Sequence, residues 1–247
     1  VEGQGLFGAP PIPVIIGDAA HTTVFSALQF LGLGHDRVTR VKTDARGCMM
    51  AAAFRAAIDP VTGPVIVILQ AGQINTGGFD PFAEIVPLAH AKGAWVHVDG
   101  AFGLWARAEP GLRSQTAGVG DADSWATDGH KWLQTPYDCG YAIVRHPEAH
   151  ARAMQIAASY LPGAGDGARN PSDYVPELSR RARGQLVRGR AGRLSHHRLD
   201  LPPRAAGAAA AGSADRDRLV NTLAASLQIV FDPQHLLVMM LAGAFGL

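Results

Sequence analysis

Four short apolar runs recur along the first 150 residues and predict buried strands. They cover residues 12–17, 65–69, 94–101 and 140–145, and the run "VIVIL" is the strongest of them. Each is rich in β-branched side chains and short enough for a strand, whereas a helix buried on one face would show a longer period. The sequence therefore predicts a sheet with both faces covered.

Helical spacing separates these runs. Residues 20–31 place apolar side chains three and four positions apart, and Gly32 ends the element. Asp80 and Pro81 form a favourable N-cap and first-turn pair for a second helix, which Gly93 closes. Strands that alternate with helices predict an α/β fold with a largely parallel central sheet. In such sheets ligands bind beyond the carboxyl ends of the strands.

Composition narrows the class of protein further. The chain has 247 residues, 47% of them hydrophobic and 17% charged, which suits one large globular domain. A net charge of +1 gives no general case for a nucleic-acid or membrane partner. Two cysteines are too few for a disulfide framework, and the apolar residues 236–247 are too short to span a bilayer. We therefore expect a cytoplasmic protein.

The character of the chain changes after Gly184. Residues 179–204 are rich in arginine, have few large apolar side chains and show no clear period. A solvated linker and sequence read out of frame are both favoured over a basic arm for nucleic acid. The sequence thus predicts one unit at residues 1–184 and an atypical Arg/Ala/Gly-rich tail at residues 185–247.

An acid and a lysine carry the candidate chemistry. Asp99 ends a predicted strand and is followed by small residues, and Lys131, one of only three lysines, follows the next segment. Pyridoxal phosphate requires a lysine for covalent attachment and a carboxylate beside its ring nitrogen. A structural ion pair is the alternative on spacing alone. His97 and Asp99 share a strand face, but no convincing third ligand supports a metal site.

Several motifs carry a more specific resemblance. The stretches "QAGQINTGGFDP", "AWVHVDGAFGLWA", "ADSWATDGHKWLQTPYDCG" and "PELSRRARG" resemble the group II pyridoxal-phosphate-dependent amino-acid decarboxylases. The resemblance covers about residues 5 to 184. It implies the large domain of a fold type I pyridoxal-phosphate-dependent transferase, with a mostly parallel sheet. It also implies a homodimer that converts an L-amino acid to its amine and CO2, without indicating which amino acid.

The resemblance assigns roles to individual residues. Lys131 matches the lysine that binds the cofactor covalently, and Asp99 matches the aspartate paired with the pyridine nitrogen. Ala101 matches the small residue packed against the ring, and His21 matches the histidine stacked on its other face. Thr76 matches a threonine near the cofactor's hydroxyl side. Without the resemblance, a capping or core histidine is the favoured interpretation of His21, and Thr76 could be only a turn residue.

Three further positions follow from the resemblance. His130 matches a histidine associated with the cofactor's phosphate, and Tyr174 corresponds to a tyrosine on a mobile loop that donates a proton to the substrate carbon. Asp128 replaces an asparagine found in animal members, so a phosphate contact by its side chain is disfavoured by like charge.

The four tryptophans, Trp95, Trp105, Trp125 and Trp132, are predicted to lie in the core.

The resemblance also implies parts that the sequence does not match. The family's Gly/Ser-rich phosphate-binding segment and its small C-terminal domain have no counterpart here. We therefore expect the central part of such an enzyme, binding its cofactor weakly or not at all. A non-catalytic remnant is the alternative. Aminotransferase or carbon–sulfur lyase chemistry is another, which His21 disfavours because the residue stacked on the ring in aminotransferases is more often another aromatic.

Overall fold

A computed structural model describes residues 5–154 and 171–176, and it contains one six-stranded sheet. The strands are β1 (Val14–Gly17), β2 (Val38–Val41), β3 (Ile66–Gln70), β4 (Trp95–Asp99), β5 (Ser124–Asp128) and β6 (Gly140–Val144). Their order across the sheet is β2-β1-β3-β4-β5-β6. All neighbours pair in parallel except β5 and β6, which are antiparallel. The predicted α/β sheet is thus confirmed.

Four α-helices connect or follow these strands. They are α1 (Thr22–Phe30), α2 (Ala51–Ile58), α3 (Phe82–His90) and α4 (Pro147–Met154). Short 3₁₀ turns at Gly103–Ala108, Arg113–Thr116 and Val119–Asp121 link β4 to β5, and a fourth lies at Pro171–Tyr174. Gly93, at φ 69°, follows α3 as predicted, because a left-handed residue satisfies the last carbonyls of a helix.

Both faces of the central strands are buried, which explains why these strands read as continuous apolar runs. One face packs against α2 and α3, and its larger members are Ile15, Val67, Leu69, Val96, Val98, Phe54, Phe82 and Ile85. The other face packs against α1 through Val14, Ile16, Ile66, Ile68, Val24 and Leu28. Burying a side chain of this size contributes about 1.5–3 kcal/mol, so the two layers hold the strand ends in register.

β2 was not predicted from the sequence. Its residues Thr39 and Arg40 are exposed, and only Val41 is fully buried. β2 is one of the two edge strands of the described sheet, so it needs no continuous apolar run.

The predicted N-cap role of Asp80 was wrong. Pro81 occupies the N-cap position of α3 and no side chain caps the helix. The Asp80 carboxylate instead accepts hydrogen bonds from the backbone N–H of Met49 at 2.6 Å and of Gln70 at 2.7 Å. Buried backbone donors need acceptors, and Asp80, itself 5% exposed, supplies them.

The prediction of a core position for Trp132 was also wrong. Its side chain is 64% exposed, whereas Trp95, Trp105 and Trp125 are half-buried. Trp132 lies in the turn after β5, beyond the last paired residue of that strand. A residue outside the sheet is not covered by the helices that flank it.

Two predictions made from the sequence concern residues outside the described part of the chain. They are the Arg-rich region from residue 179 with its tail at residues 185–247, and the apolar segment at residues 236–247. Among the residues that are described, no helix combines the length and apolar character needed to cross a bilayer.

Gly72 allows two connections to cross at the carboxyl edge of the sheet. It has φ 82°, and a Cβ placed on it would lie 2.8 Å from both Cα and N of Gly103. We expect Gly72→Ala to lower the free energy of unfolding by about 1–2 kcal/mol for the backbone conformation and about 1–3 kcal/mol more for the clash. Gly63 has φ 86° and open space around it, so Gly63→Ala isolates the conformational part. Equal losses for the two variants in urea denaturation would contradict the close approach.

Candidate functional site

The candidate site lies where β4 and β5 end. Asp99 is the last residue of β4 and Asp128 the last of β5. The two strands are parallel, with Asp99 opposite Ala126, so both carboxylates project near the same edge of the sheet. Sequence reasoning placed Asp99 and Lys131 at adjacent strand ends, and the structure brings them together there.

Asp99 is a buried acid. Its side chain Oδ1 accepts a hydrogen bond from the backbone N–H of Ala101 at 3.1 Å, and the residue is 9% exposed. Burial raises the pKa of Asp99, while the Ala101 hydrogen bond and the positive charge of Lys131 act in the opposite direction. Asp128 adds to the rise and His21 opposes it, so all three side chains lie near enough to act on this carboxylate.

Lys131 lies between an acid and an aromatic ring. Its Nζ is 2.6 Å from Oδ2 of Asp128 and 4.3 Å from the ring centroid of Phe102. The side chain is 29% exposed. The ion pair and the ring together compensate for the partial loss of water around the ammonium. These two contacts explain how a lysine is accommodated just beyond this strand end.

Sequence reasoning missed Phe102 and the pairing role of Asp128. The signal for the ion pair was available, since Asp128 and Lys131 are three residues apart across a tight turn. No sequence pattern indicated the ring contact, because it depends on where the chain turns after Asp99.

His21 is the N-cap of α1. The backbone N–H of Thr23 donates to Nδ1 of His21 at 3.4 Å, and the Thr23 hydroxyl lies 2.8 Å from the same atom. The capping interpretation of His21 is therefore confirmed. Because Nδ1 accepts these bonds, a neutral His21 ring carries its proton on Nε2. The ring is exposed and its charge reaches Asp99, so capping and a role at the site are compatible.

Thr76 lies in the loop between β3 and α3. Its hydroxyl donates to the backbone carbonyl of Arg46 at 2.5 Å and accepts from the backbone N–H of Gly78 at 3.2 Å. These contacts fit the interpretation of Thr76 as a turn residue. They also tie its loop to the segment that follows β2, while its role toward a cofactor stays a prediction.

His130 is enclosed next to Lys131. Its ring is 5% exposed, and Nδ1 accepts from the backbone N–H of Cys139 at 3.1 Å. Its Nε2 lies 3.8 Å from Oδ2 of Asp128. The ring thus braces the turn that carries Lys131, and its association with a phosphate stays a prediction.

Tyr174 is placed by α4. Its ring packs against His150, with the centroids 5.9 Å apart. The residues on either side of the Pro171–Tyr174 turn, 155–170 and 177–247, are not described. The proton-donor role of Tyr174 therefore stays a prediction.

His97 behaves as a core side chain. It is fully buried, its Nδ1 lies 3.0 Å from the Ser124 hydroxyl, and burial lowers its pKa to about 3. The ring is neutral at physiological pH. Within residues 5–154 and 171–176, no group of three or more His, Cys, Asp or Glu side chains could hold a metal ion.

The residues at the strand ends fit pyridoxal phosphate. A buried carboxylate destabilised by its surroundings favours a partner that brings positive charge, as a protonated pyridine nitrogen does. Lys131 would supply the amine, and Ala101 adds little bulk beside Asp99. A small cavity lined by residues of α1 and of the strand ends also borders Asp99.

Comparison with known proteins agrees with this chemistry. Residues 12–185 match the family model described as the pyridoxal-dependent decarboxylase conserved domain. An aromatic-L-amino-acid decarboxylase of Bacillus atrophaeus is 31% identical over 181 residues, which is 70% of this chain and 38% of that protein. The L-2,4-diaminobutyrate decarboxylase of Rhizobium meliloti is 34% identical over 169 residues, 66% of this chain and 32% of that protein.

Solved structures show the same fold. Mouse CSAD in its apo form superposes with a TM-score of 0.70 at 26% identity, covering 78% of this chain and 41% of the mouse chain. Oryza sativa TDC with PLP and tryptamine superposes with a TM-score of 0.68 at 25% identity, covering 77% and 41%. The chain thus spans about a third to two fifths of the length of these relatives. With a match to more than half of its residues, the chain belongs to the pyridoxal-dependent decarboxylase family.

Proposed function

We propose that this chain carries the cofactor-binding centre of a pyridoxal-phosphate-dependent decarboxylase that converts an L-amino acid to its amine and CO2. The observation that carries the proposal is the meeting of buried Asp99 and paired Lys131 at adjacent strand ends. The substrates named for the relatives differ, so the proposal stops at the class of L-amino acids.

The bound cofactor supplies an electron sink for the bond between the substrate's Cα and its carboxylate. Asp99 holds a proton on the pyridine nitrogen, because a positive charge there offsets the cost of burying the carboxylate. Ala101 orients that carboxylate through its backbone N–H and presents only a methyl group to the ring. These residues fix which way the ring lies.

Lys131 holds the cofactor covalently in this proposal. Its ammonium must lose a proton before the nitrogen forms a bond, and Oδ2 of Asp128, 2.6 Å away, is the acceptor in contact with it. His130 accepts the backbone N–H of Cys139 across the turn that carries Lys131, and the Phe102 ring contacts the Lys131 ammonium. The amine therefore reacts at a defined position.

The remaining residues act on the substrate and the rest of the cofactor. His21 would stack on the cofactor ring and help to orient the substrate. Thr76 would lie near the hydroxyl side of the cofactor, and His130 near its phosphate. Tyr174 would donate the proton that the substrate carbon needs after CO2 is released. Family resemblance supports these four roles.

Partner and location belong to the same proposal. A homodimer is supported by the family resemblance and by exposed aromatic side chains at the Lys131 turn, Trp132 at 64% and Tyr137 at 78%. A reducing, cytoplasmic location is supported by two cysteines that are both free.

Three alternative functions are compatible with the same fold. A non-catalytic remnant would bind the cofactor at Lys131 without releasing CO2, or would not bind it. An aminotransferase or carbon–sulfur lyase would consume an amino acid without releasing CO2 from its carboxylate. Measuring the release of labelled CO2 from amino acids that carry the label in their carboxylate separates all three from a decarboxylase.

Borohydride trapping tests covalent attachment even when binding is weak. We expect reduction in the presence of pyridoxal phosphate to mark Lys131, detected by peptide mass spectrometry. The chain contains only two other lysines, Lys42 and Lys92, which serve as internal controls for random modification. We expect at least tenfold more adduct on Lys131 than on either, and loss of that excess in Lys131→Ala. Equal marking of the three lysines would contradict the proposed site.

Removing the charge of Asp99 tests how much the buried carboxylate lowers the free energy of unfolding of the protein without cofactor. The folded pKa lies above the unfolded value, so ionisation lowers stability as the pH rises through the folded pKa. We expect Asp99→Asn to be more stable than the parent chain in urea at pH 8, with the difference shrinking toward pH 4, about the unfolded pKa. The same variant should give less adduct on Lys131.

Asp36→Asn is the control, because the Asp36 side chain is 88% exposed and distant in the chain from the site. It should change neither stability nor adduct yield. A loss of stability at pH 8 in Asp99→Asn would show that the carboxylate stabilises the free protein and would contradict the argument.

A further inference from the structure

Asp80 lies at the junction of three chain segments. It follows the loop after β3, immediately precedes α3, and reaches the segment after β2 through its side chain. Oδ1 accepts from the N–H of Met49 at 2.6 Å, and Oδ2 accepts from the N–H of Gln70 at 2.7 Å. The backbone N–H of Asp80 also donates to the carbonyl of Gln70 at 3.0 Å. Both side-chain oxygens are thus committed to the backbone.

Gln70 and Met49 connect Asp80 to the site. Gln70 is the last residue of β3 and lies opposite Asp99 in the sheet. Met49, which is 1% exposed, ends the turn at residues 43–49, where Thr43 and Met49 form an isolated bridge. The carboxylate therefore joins this turn to the strand next to Asp99.

The turn at residues 43–49 is closed by hydrogen bonds within it. Oδ1 of Asp44 accepts hydrogen bonds from the N–H of Arg46 at 2.8 Å and of Cys48 at 2.9 Å. The N–H of Asp44 donates to the carbonyl of Cys48 at 2.9 Å. A turn closed by these bonds moves as one piece, so fixing Met49 fixes the carbonyl of Arg46.

That carbonyl accepts the hydroxyl proton of Thr76. The two loops are also in close contact, since a Cβ on Gly78 would lie 2.8 Å from Sγ of Cys48. The contacts therefore run from Asp80 through Met49 and Arg46 to Thr76. Each step is a direct hydrogen bond or a short, rigid piece of backbone.

We propose that Asp80 is a positioning residue that fixes the loop of Thr76 relative to Asp99 by clamping the turn at residues 43–49 to the end of β3. The proposal depends on the proposed function only for what Thr76 then does to the cofactor. Asp80 does not contact the reacting atoms. Burial raises the pKa of Asp80 to about 6, against the lowering effect of its two N–H partners. The Asp80 carboxylate is therefore ionised at pH 8.

Asp80→Asn tests the two hydrogen bonds of the Asp80 carboxylate with little change in side-chain volume. The amide can accept one of the two N–H groups but opposes the other with a donor. We expect hydrogen–deuterium exchange at pH 8 to become at least tenfold faster in residues 43–50 and 71–78. Glu84→Gln, an exposed carboxylate in the first turn of the same helix, should leave exchange unchanged. Unchanged exchange in Asp80→Asn, or acceleration spread equally over β1, β4 and α1, would overturn the proposal.

Thr76→Val provides a second variant that is expected to fold, because Thr76 is exposed. Exchange should rise in residues 73–78 while the amides of Met49 and Gln70 stay protected, since Asp80 still holds them. Loss of protection at Met49 in this variant would show that Thr76 holds the turn, which reverses the proposed order and overturns it.

The double variant connects the clamp to the cofactor. If Asp80 acts through Thr76, the yield of borohydride-trapped Lys131 in Asp80→Asn/Thr76→Val falls no further than in the weaker-binding single variant. Losses that multiply would overturn that coupling. A parent chain that gives no adduct on Lys131 would refute the proposed function, and the exchange experiments would still decide the role of Asp80.

Discussion

The burial of the Asp99 carboxylate is the constraint on which the arrangement of the site depends. β4 ends inside the protein, and the polar groups offered to this acid are one backbone N–H and the nearby charges of Lys131 and His21. A carboxylate held this way is costly in the free protein and favourable beside a cation. Under the proposed function, a positively charged ring nitrogen would be the favourable partner for this carboxylate.

The rest of the site distributes charge around that acid. Asp128, at the end of the neighbouring strand, forms an ion pair with the Lys131 ammonium. The same positive charge also lowers the pKa of Asp99, so one lysine acts on two carboxylates at this sheet edge. The Phe102 ring and the enclosed His130 limit where the lysine can go. On the other side of β4, both side-chain oxygens of Asp80 accept backbone N–H groups. The three acids at this edge therefore have different partners: a lysine for Asp128, one backbone N–H for Asp99 and two for Asp80.

The fold could be predicted from the sequence wherever burial produces a pattern. β1 and most of β3 and β4 are apolar because both sheet faces are covered, and Asp99 could be placed because it ends such a strand. β2 was not predicted because an edge strand needs few apolar residues. The hydrogen bonds of the Asp80 side chain were not predicted because its partner Met49 is 31 residues away. The local preference of Asp before Pro favoured a helix cap instead. Trp132 was misplaced because residue type alone does not reveal that a turn lies beyond the sheet.

The antiparallel pairing of β6 has a consequence for how the site assembles. β5 and β6 form a hairpin, and the turn that carries Lys131 is the segment between Asp128 and Gly140. Closing so short a segment costs little chain entropy, whereas pairing β1 with β3 brings together residues about fifty positions apart. Pairings between residues close in sequence need less ordering of the chain than distant ones. The lysine-bearing turn is therefore closed by local contacts, whereas bringing Lys131 near Asp99 also requires the pairing of β5 with β4.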